Sequence, residues 1–430
     1  MDSYKKIMPI CGSVESSIQP PGSKSLTNRA LPIAAMASGR SVLSGVLDSD
    51  DTRVMIESLN RLGISVIHDV QSSCVVVEGV GGSIPIGKAD LFIGNSGTTI
   101  RFLTAVLAVA GGDYVLDGIP RMRQRPIGPL VDALDMLNLN VETGSPGGCP
   151  PVRISSQRSQ GGTVRIRGDL SSQYLSGLMM AAPLAVHDTI IEIDGPLISR
   201  PYVEMTKRVM ECFGVGVEVD QQFGRFEIGG GQTYRATAYR IEPDASSASY
   251  FWAVAAICGG AVTVLGLDEN SLQGDVGFVR CLEQMGCDVE WGQGEVTVRG
   301  PAKHGIDIDM SDVSDTVQTL AAVALFVEGT TNVRNVAHNR VKETDRIGNL
   351  AIELRKLGAT VDEREDGLAI HPGPTRPADI ETYDDHRMAM SLALVGLRQA
   401  GVRILDPACV SKTYPAFFED LERFLGFASD

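Results

Sequence analysis

The chain has 430 residues, of which 43% are apolar and 21% are charged. This composition excludes a disordered, collagen-like or disulfide-dense protein, and the length suits two domains of about 200 residues each. The 38 basic and 53 acidic residues give a net charge of −15, which excludes a general attraction for nucleic acid or anionic membranes. An anionic ligand would therefore need a local group of Lys and Arg side chains.

The amino-terminal segment does not have the apolar core of a signal peptide, since Met1–Lys6 is followed by only a short apolar stretch and then Glu15. The longest uncharged run lies between Asp244 and Asp268, but it begins with several serines and is broken by two glycines, which argues against a membrane span. The eight cysteines show no Cys-x-x-Cys motif and no metal-binding spacing with the six histidines. We therefore expect a cytoplasmic protein with no metal site and no cofactor.

A helix-like segment that ends in Gly or Asn and leads into a short apolar strand recurs along the chain. The residues at the turning points are Gly63, Asn138, Gly214, Gly286, Gly358 and Gly426, which are 68 to 76 residues apart. Gly or Asn at such a point is typical of the residue that follows a helix in the left-handed conformation. A helix is therefore predicted to end just before each of them.

A second series of polar residues precedes apolar helical stretches. Its members are Ser25, Ser96, Ser172, Ser246, Asp315 and Asp385, which are 69 to 76 residues apart. Ser and Asp are favoured helix N-caps, so each is predicted to start a helix. The helices that follow, such as Leu175–Leu184 and Thr316–Phe326, are apolar nearly all round and should be buried.

Two helices and several short strands in each period of about 72 residues predict an α/β fold of six units, arranged as two domains of three units each. The predicted crossing points are Pro20-Pro21-Gly22 and the segment 239–243. The domains are then residues 22–240 and a discontinuous domain of residues 1–21 and 241–430. The alternative is a chance coincidence of common Leu-x-x-Leu-Gly patterns.

Basic residues stand at these predicted helix starts. Gly22-Ser23-Lys24-Ser25 leads into a helix that carries Arg29, and its backbone N–H groups, hydroxyls and ammonium could bind an anion. The nucleotide-binding pattern GxxxxGK[ST] is absent. The alternative is an ordinary capped helix with solvated cations.

Other helix starts have the same character. Gly97 would let a ligand approach the backbone where Asn95–Arg101 begins a helix, although a tight turn explains it equally well. Three arginines between Arg121 and Arg125 form either a binding loop or a solvated basic loop. For Arg340–Arg346 the alternative is a helix face with ion pairs three and four residues apart. The remaining starts are Ser171-Ser172-Gln173-Tyr174, Ser199-Arg200-Pro201-Tyr202, Asp384–Arg387 and Lys412–Pro415. We expect the starts to converge on a cleft between the two domains.

Five motifs together resemble those of the EPSP synthase family, the 3-phosphoshikimate 1-carboxyvinyltransferases. They are Gly22–Arg29 (GSKSLTNR), Gly94–Arg101 (GNSGTTIR), Arg125–Gly128 (RPIG), Arg340–Arg346 (RVKETDR) and Asp385–Met390 (DHRMAM), and the resemblance extends from about residue 20 to Lys412. It implies two domains, each of three βαβαββ units. It also implies transfer of the enolpyruvyl group of phosphoenolpyruvate to the 5-hydroxyl of shikimate 3-phosphate, with release of phosphate. Each substrate carries roughly three negative charges.

The resemblance also implies roles for individual residues. Shikimate 3-phosphate would be bound by Lys24, Ser25, Arg29, Ser171, Ser172, Gln173, Ser199, Tyr202, Asp315 and Lys342. Phosphoenolpyruvate would be bound by Lys24, Asn95, Gly97, Arg125, Gln173, Arg346, Arg387 and Lys412. Asp315 would be the base toward the 5-hydroxyl, Glu343 the acid that protonates the methylene carbon, and Lys24 a third catalytic residue. Gly97 would leave room for the phosphonate of the inhibitor glyphosate. We expect a monomer.

Glu343 presents a difficulty as an acid, because the neighbouring Lys342 and Arg346 stabilise its charged form. We expect the negative charges of the two substrates to offset these cations, so that Glu343 takes up a proton mainly in the ternary complex. Two positions depart from the family pattern. His338 stands where the family often has Asn, which puts that substrate contact in question, and Phe102 stands where many members have Pro.

Two other functions compete with this interpretation. The related enolpyruvyl transferase that acts on UDP-N-acetylglucosamine has Lys-Asn early in its chain and a reactive Cys before its Arg-Pro. Here the first position is Lys24-Ser25, and no cysteine lies between Cys74 and Cys149. A non-catalytic repeat protein that binds phosphorylated ligands is the second alternative. It would keep the cations but would not need Asp315 and Glu343.

Overall fold

The chain folds into two compact units, as seen in a computed structural model that describes residues 4–145 and 147–427. The N-terminal unit is Gly22–Ile241, and the C-terminal unit combines Met1–Pro21 with Glu242–Asp430. The first two strands along the chain, β1 (Tyr4–Lys6) and β2 (Val14–Ile18), belong to the C-terminal unit.

The N-terminal unit contains three copies of a strand-helix-strand-helix-strand-strand pattern. The first copy has α1 (Lys24–Met36), β3 (Ser38–Ser44), α2 (Asp50–Arg61), β4 (Val66–Asp69) and β5 (Cys74–Val80). The second has β6 (Lys88–Phe92), α3 (Gly97–Ala110), β7 (Gly112–Asp117), α4 (Gly128–Asp135), β8 (Val141–Thr143) and β9 (Val152–Ser156). The third has β10 (Gly162–Arg167), α5 (Ser172–Ala181), β11 (Thr189–Asp194), α6 (Arg200–Cys212), β12 (Glu218–Val219) and β13 (Arg225–Ile228), and β14 (Ala238–Arg240) comes after it.

Each copy forms one four-stranded sheet with the same topology. In the order β6-β7-β9-β8 the first pair is parallel and the other two pairs are antiparallel, and β10-β11-β13-β12 repeats this arrangement. The first copy has the order β14-β3-β5-β4, with β14 parallel to β3. The last strand of the unit therefore supplies the first strand of its first copy.

The C-terminal unit repeats the pattern. Its first copy has β2, α7 (Ala245–Cys258), β15 (Gly260–Leu265), α8 (Phe278–Gln284), β16 (Asp288–Trp291) and β17 (Glu295–Gly300). The second has β18 (Asp307–Asp309), α9 (Val317–Ala324), β19 (Thr331–Arg334), α10 (Gly348–Lys356), β20 (Thr360–Arg364) and β21 (Gly367–His371). The third has β22 (Asp379–Ile380), α11 (His386–Ala393), β23 (Arg403–Leu405) and α12 (Phe417–Phe424).

The sheets of the C-terminal unit have the orders β16-β17-β15-β2, β18-β19-β21-β20 and β1-β23-β22. β2 pairs in parallel with β15, and β1 runs antiparallel to β23 in the place that β17 and β21 take in the other two sheets of this unit. The predicted α/β fold of six repeated units is therefore confirmed, with two of its sheets completed by strands from the start of the chain.

All six predicted turning points are left-handed, with φ angles between +58° and +112°. They are Asn138 and the glycines at positions 63, 214, 286, 358 and 426. Each lies within three residues of the end of a helix, namely α2, α4, α6, α8, α10 or α12. An L side chain other than Asn or Asp is strained at this φ, which is why the residue type marks the helix end in the sequence.

The second helix of each copy packs outside, whereas the first helix of each copy is buried nearly all round. In α3 and α7, thirteen residues are buried and the helix is closed by Gly111 and Gly259 respectively. The stretches predicted to be buried helices, Leu175–Leu184 and Thr316–Phe326, correspond to α5 with the 3₁₀ helix Ala182–Leu184 and to α9. Because the sides of these helices are packed in the core, a polar ligand could reach them only at their first residues.

The predicted N-caps are right at two of six positions. Ser96 caps α3 by accepting from Thr99 N, and Asp385 caps α11 by accepting from Arg387 N. The other predictions are wrong: the caps are Ser23, Ser171 and Asp244 instead of Ser25, Ser172 and Ser246. Asp315 lies in the 3₁₀ helix Ser314–Thr316 and caps nothing. Several polar residues stand side by side at these starts, and the one whose backbone is extended becomes the cap.

The uncharged run after Asp244 forms α7, which has 14 residues. Throughout the described residues, no helix is both long enough and apolar enough to cross a membrane. Within the same residues no group of three or more His, Cys, Asp or Glu side chains is arranged to hold a metal ion.

Candidate active site

The predicted site residues form two groups, one in each unit. The N-terminal cluster lies at the starts of α1, α3, α5 and α6 and in the loop before α4. It consists of Lys24, Ser25, Arg29, Asn95, Gly97, Arg101, Arg125, Ser171, Ser172, Gln173, Ser199 and Tyr202. The C-terminal cluster lies around the starts of α9, α10 and α11. It consists of Asp315, Lys342, Glu343, Arg346, Asp385, Arg387 and Lys412.

The start of α1 holds Lys24 and Ser25 in its first turn. Ser23 caps the helix by accepting from Leu26 N at 3.3 Å. Lys24 Nζ lies 3.5 Å from Asp51 Oδ2 on α2, and both side chains are largely buried. The geometry places one ammonium group next to the N–H groups of a helix start, which favours an anion there.

Arg29 is buried one turn further along α1, with 1% of its surface exposed. Its Nε donates to Thr206 Oγ1 at 2.7 Å, and its Nη atoms donate to Ser25 O, Ser176 Oγ and Tyr202 O. Burial lowers the pKa of Arg29 to about 10. No carboxylate pairs with it among the described residues. The positive charge of Arg29 is therefore buried away from water and is stabilised there by hydroxyl and carbonyl oxygens.

Phe102 is in contact with this guanidinium group. Its ring centre lies 5.3 Å from Arg29 Cζ, and the ring of Tyr202 lies 5.8 Å from the same atom. Phe102, which departs from the family pattern, therefore contacts Arg29, the most buried cation of the N-terminal cluster. The face of an aromatic ring attracts positive charge.

Gly97 begins α3 between two guanidinium groups. A Cβ atom at this position would lie 2.6 Å from Arg125 Nη2 and 3.1 Å from Arg101 Nη1. Arg125 Nη1 donates to the backbone and side-chain oxygens of Asn95 at 2.9 and 3.2 Å. A larger residue would require these guanidinium groups to shift, so glycine allows both arginines to lie close to the helix start. The approach of a ligand to Gly97 stays a prediction.

Arg101 connects α3 to α5. Its Nη1 donates to Gln173 Oε1 at 2.5 Å, its Nη2 donates to Pro126 O at 3.3 Å, and its Cζ lies 5.3 Å from the centre of the Tyr174 ring. Pro126 O also accepts from the Tyr174 hydroxyl at 2.6 Å. Arg101 thus fixes the amide of Gln173, which the family resemblance assigns to both substrates, although Arg101 itself was not predicted as a binding residue.

The starts of α5 and α6 supply uncharged groups. Ser171 caps α5 by accepting from Gln173 N at 3.3 Å, and Ser172 is the first helical residue. Ser199 precedes α6 in the left-handed conformation, with φ +53° and ψ +42°, and it is 5% exposed. A buried serine in this conformation, which is uncommon for residues other than Gly, Asn and Asp, marks a position that the surrounding structure constrains.

Of the three arginines between positions 121 and 125, Arg125 bonds to Asn95 within the N-terminal cluster. Arg123 pairs with Asp117 on the surface, and Arg121 Nη1 donates to Gln124 Oε1 at 3.2 Å. The solvated-loop alternative therefore holds for Arg123.

Asp315 is the centre of the C-terminal cluster. Its Oδ1 accepts from Lys342 Nζ at 2.6 Å and from Arg346 Nη1 at 3.2 Å, and its Oδ2 accepts from Arg387 Nη2 at 2.6 Å. Burial by itself would raise the pKa of Asp315, but Arg387, Lys342 and Arg346 outweigh it and hold the pKa well below 3.8. The carboxyl group is therefore ionised at neutral pH.

Arg346 binds three carboxylates. Asp385 accepts two bonds from it, at 2.7 Å from Nε and 3.1 Å from Nη2, Glu343 Oε2 lies 2.8 Å from Nη2, and Asp315 is the third partner. These anions raise the pKa of Arg346 above its ordinary value in spite of its burial. Arg346 fixes the positions of both predicted acid-base residues, Asp315 and Glu343.

Glu343 is 9% exposed and lies between two cations. Besides Arg346, its partner is Lys412, whose Nζ is 3.9 Å from Glu343 Oε1. Lys412 ends the 3₁₀ helix Pro407–Lys412 ahead of α12. The Glu343 carboxylate, on the loop before α10, thus contacts Lys412, which is predicted to bind phosphoenolpyruvate.

The run Arg340–Arg346 is not a helix face, because α10 begins only at Gly348 and Ala337–Val341 is a 3₁₀ helix. Arg340 Nη1 donates to Asp345 at 2.8 Å and to Glu363 at 3.0 Å, away from the cluster. Asp345 Oδ1 also accepts from Ile347 N and Gly348 N at the start of α10. Ion pairs thus brace the loop from one side, while Lys342, Glu343 and Arg346 point to the cluster.

The two clusters differ in charge. Four cations face three carboxylates in the C-terminal cluster, and in the N-terminal cluster Lys24 pairs with Asp51. Two unit charges 4 Å apart interact by about 1 kcal/mol in water and about 4 kcal/mol at an effective dielectric constant of 20. Among the residues that define them, both clusters have more cations than carboxylates, and burial strengthens the attraction of these cations for an anion.

Four groups that shape the site were not predicted from the sequence. Asp385 was predicted only as an N-cap, yet its carboxylate also holds Arg346. Ser314 bonds to His338 and Lys342, and the Tyr250 hydroxyl lies 3.4 Å from Arg387 Nη1. Arg101 is the fourth. Asp385 and Arg101 lie inside recognisable motifs, but nothing in the sequence distinguishes Ser314 or Tyr250 from other helix residues.

Comparison with known proteins gives one family. The family model described as EPSP synthase (3-phosphoshikimate 1-carboxyvinyltransferase) matches residues 9–421. The chloroplastic 3-phosphoshikimate 1-carboxyvinyltransferase of Solanum lycopersicum is 48% identical over 429 residues, which cover 96% of this chain and 82% of that protein. The enzyme of the same name from Nostoc punctiforme is 47% identical, with 94% and 95% covered. A solved EPSP synthase from Acinetobacter baumannii superposes with a TM-score of 0.81 at 26% identity and covers 97% of each chain.

Proposed function

The chain belongs to the EPSP synthase family, and from this premise we propose which of its side chains hold the substrates and move the protons. It transfers the enolpyruvyl group of phosphoenolpyruvate to the 5-hydroxyl of shikimate 3-phosphate, by addition and elimination, and releases phosphate. This step belongs to the shikimate pathway of aromatic amino-acid biosynthesis.

For shikimate 3-phosphate we propose the hydroxyl-rich and cationic starts of α1, α5 and α6, together with two residues of the C-terminal cluster. The residues are Lys24, Ser25, Arg29, Ser171, Ser172, Gln173, Ser199, Tyr202, Asp315 and Lys342. The observation that carries this assignment is Arg29, a buried guanidinium group with no carboxylate partner among the described residues. A substrate carboxylate or phosphate would supply the missing negative charge.

For phosphoenolpyruvate we propose the arginine pair at the start of α3 and the cations of the C-terminal cluster. The residues are Lys24, Asn95, Gly97, Arg125, Gln173, Arg346, Arg387 and Lys412. The close packing of Gly97 against Arg125 and Arg101 supports this assignment, because it brings two planar five-donor groups to one helix start.

For proton transfer we propose Asp315 as the base toward the 5-hydroxyl, Glu343 as the acid toward the methylene carbon and Lys24 as a further participant. A base must be ionised before it acts, and the low pKa of Asp315 meets that condition. The same low pKa makes it a weak base while three cations hold it. Substrate anions would share Lys342, Arg346 and Arg387 with Asp315 and so raise its proton affinity during the reaction.

The activity is tested by phosphate release. The purified chain should release inorganic phosphate from phosphoenolpyruvate when shikimate 3-phosphate is present and release none when the acceptor is omitted. Release with UDP-N-acetylglucosamine in place of shikimate 3-phosphate would support the related transferase. Binding of both phosphorylated compounds without release would support a non-catalytic protein.

Replacing Gly97 by alanine should weaken phosphoenolpyruvate binding. The new Cβ would lie 2.6 Å from Arg125 Nη2 and would displace that guanidinium group. We therefore expect KM for phosphoenolpyruvate to rise about 10-fold and KM for shikimate 3-phosphate to change less than twofold. Glyphosate should inhibit the wild type in competition with phosphoenolpyruvate and should inhibit the variant poorly. Steady-state kinetics with both substrates varied would measure this. Gly87→Ala is the matched control, because nothing lies within 4 Å of its Cβ position. Equal effects of both variants would contradict the steric role.

We further propose that the chain acts in the cytoplasm as a monomer. The plant relatives are named chloroplastic and the cyanobacterial relatives are not. Sedimentation at micromolar concentration would reveal a dimer if one forms.

A further inference from the structure

His338, Ser314 and Lys342 form a hydrogen-bonded chain beside Asp315. His338 Nε2 lies 2.9 Å from Ser314 Oγ, Lys342 Nζ lies 3.3 Å from the same oxygen, and Lys342 Nζ continues to Asp315 Oδ1 at 2.6 Å. We propose that His338 is a positioning residue for shikimate 3-phosphate binding, which orients the Ser314 hydroxyl so that its lone pair holds the Lys342 ammonium group in place.

The direction of each bond follows from the chemistry of the three groups. A lysine ammonium group can only donate, so Ser314 Oγ accepts from Lys342. The hydroxyl proton of Ser314 must then point elsewhere. Among the described residues its only acceptor is His338 Nε2. His338 Nε2 therefore carries no proton, and the imidazole proton is on Nδ1.

The electrostatic surroundings agree with a neutral imidazole. Burial lowers the pKa of His338 to about 3, and Lys342 and Arg346 act in the same direction while Asp315 alone opposes them. A protonated imidazole would also donate from Nε2, and two cations would then face one serine oxygen. His338 thus stays neutral throughout the pH range in which the chain would be assayed.

The backbone supports the same arrangement. Asn339, the next residue of the 3₁₀ helix Ala337–Val341, donates from its Nδ2 to Ser314 O at 2.9 Å. Two neighbouring residues of one short helix therefore bond to the carbonyl and the hydroxyl of Ser314, which is 1% exposed. Ser314 also directly precedes Asp315, so two adjacent residues bind the Lys342 ammonium group.

The consequence concerns Lys342. Its ammonium group donates to both Ser314 and Asp315, and two bonds in different directions fix the orientation of the whole group. The position at which the positive charge meets a substrate anion is then set by Ser314 as well as by Asp315. This inference rests on the proposed role of Lys342 in binding shikimate 3-phosphate, and it assigns His338 an action through Ser314 rather than a substrate contact.

The test is a set of variants at positions 338 and 314. His338→Ala and Ser314→Ala should each raise KM for shikimate 3-phosphate about 10-fold, with KM for phosphoenolpyruvate and kcat within twofold of wild type. His338→Gln, whose amide oxygen reaches about as far as Nε2, should recover most of this loss, whereas His338→Met, which cannot accept this bond well, should not. A KM change confined to one substrate and a rescue by an acceptor are not expected of a merely structural residue.

The double variant decides whether the two residues act as one unit. Since His338 acts through Ser314, the double Ala variant should be no worse than Ser314→Ala alone. His371→Ala and Thr330→Ala are the matched control pair, because His371 Nδ1 lies 2.8 Å from Thr330 Oγ1 away from the cluster. If the double Ala variant raised KM for shikimate 3-phosphate by the product of the two single effects, the inference would be overturned. Equal activity of the His338→Gln and His338→Met variants would overturn it as well.

A separate variant keeps the two proposals apart. Lys342→Met should raise KM for shikimate 3-phosphate about 100-fold, and thermal melts would verify that it folds. An unchanged KM would refute the proposed role of Lys342 itself. A raised KM in Lys342→Met together with normal kinetics in His338→Ala would refute only the positioning role.

Discussion

Replacement of Glu343 by glutamine is expected to lower kcat about 1000-fold, within the range of roughly 10²–10⁴ that general acid catalysis contributes. The amide has the shape of the carboxyl group but cannot deliver a proton to the methylene carbon. Arg346 keeps two of its three carboxylate partners, Asp385 and Asp315, so the loop should stay in place. Single-turnover measurements would separate this loss from product release.

Substrate binding provides the internal check on that variant. Removing one negative charge from between Arg346 and Lys412 should leave the affinity for phosphoenolpyruvate unchanged or tighter, as measured by calorimetry. The matched control is Glu363→Gln, the same chemical change on β20, where the carboxylate pairs with Arg340. Turnover of Glu343→Gln near the wild-type value at neutral pH would refute the acid role.

Replacement of Asp315 by asparagine should abolish most of the activity and also destabilise the C-terminal unit. The carboxylate compensates Lys342, Arg346 and Arg387, and removing one partner of a buried ion pair costs about 3 kcal/mol or more. We expect the free energy of unfolding to fall by about 3 kcal/mol and kcat to fall about 1000-fold. Urea unfolding and steady-state kinetics would measure the two effects.

The stability difference between wild type and Asp315→Asn should depend on pH in one direction. The pKa of Asp315 is held well below its ordinary value in the folded chain, so the unfolded chain binds the proton more readily. The stabilisation is therefore fully present above the ordinary aspartate pKa of about 3.9 and is lost as the pH falls through the folded pKa. The difference should stay constant from about pH 8 to about pH 5 and shrink only in more acid solution.

Two outcomes would contradict this account of Asp315. A stability difference that grows on acidification would show that the carboxyl group is protonated, not ionised, in the folded chain. A loss no larger than that of Asp307→Asn, which removes a largely exposed partner of Arg334, would show that the three cations do not need Asp315. The control variant should stay close to wild type, because exposed ion pairs contribute little.

The repeated fold could be predicted because its signals are local. Left-handed φ angles at Gly63 or Gly358 depend on backbone sterics that operate within a few residues, and the buried helices show in uninterrupted apolar stretches. The N-caps were predicted less well, because neighbouring serines such as Ser171 and Ser172 have the same intrinsic preference. Which of them takes the extended backbone depends on packing against the rest of the copy.

The sequence also showed which residue types stand at the helix starts, but it did not show how their side chains pair. The period of about 72 residues and the placement of Lys and Arg at helix starts follow from the order of residue types along the chain. The folded structure established that Arg346 binds Asp385, that Arg340 turns away to Glu363 and that His338 is connected to Lys342 through Ser314. These contacts join residues 23 to 39 positions apart. Such pairings depend on how separate helices and loops pack, and no local preference of the chain encodes them.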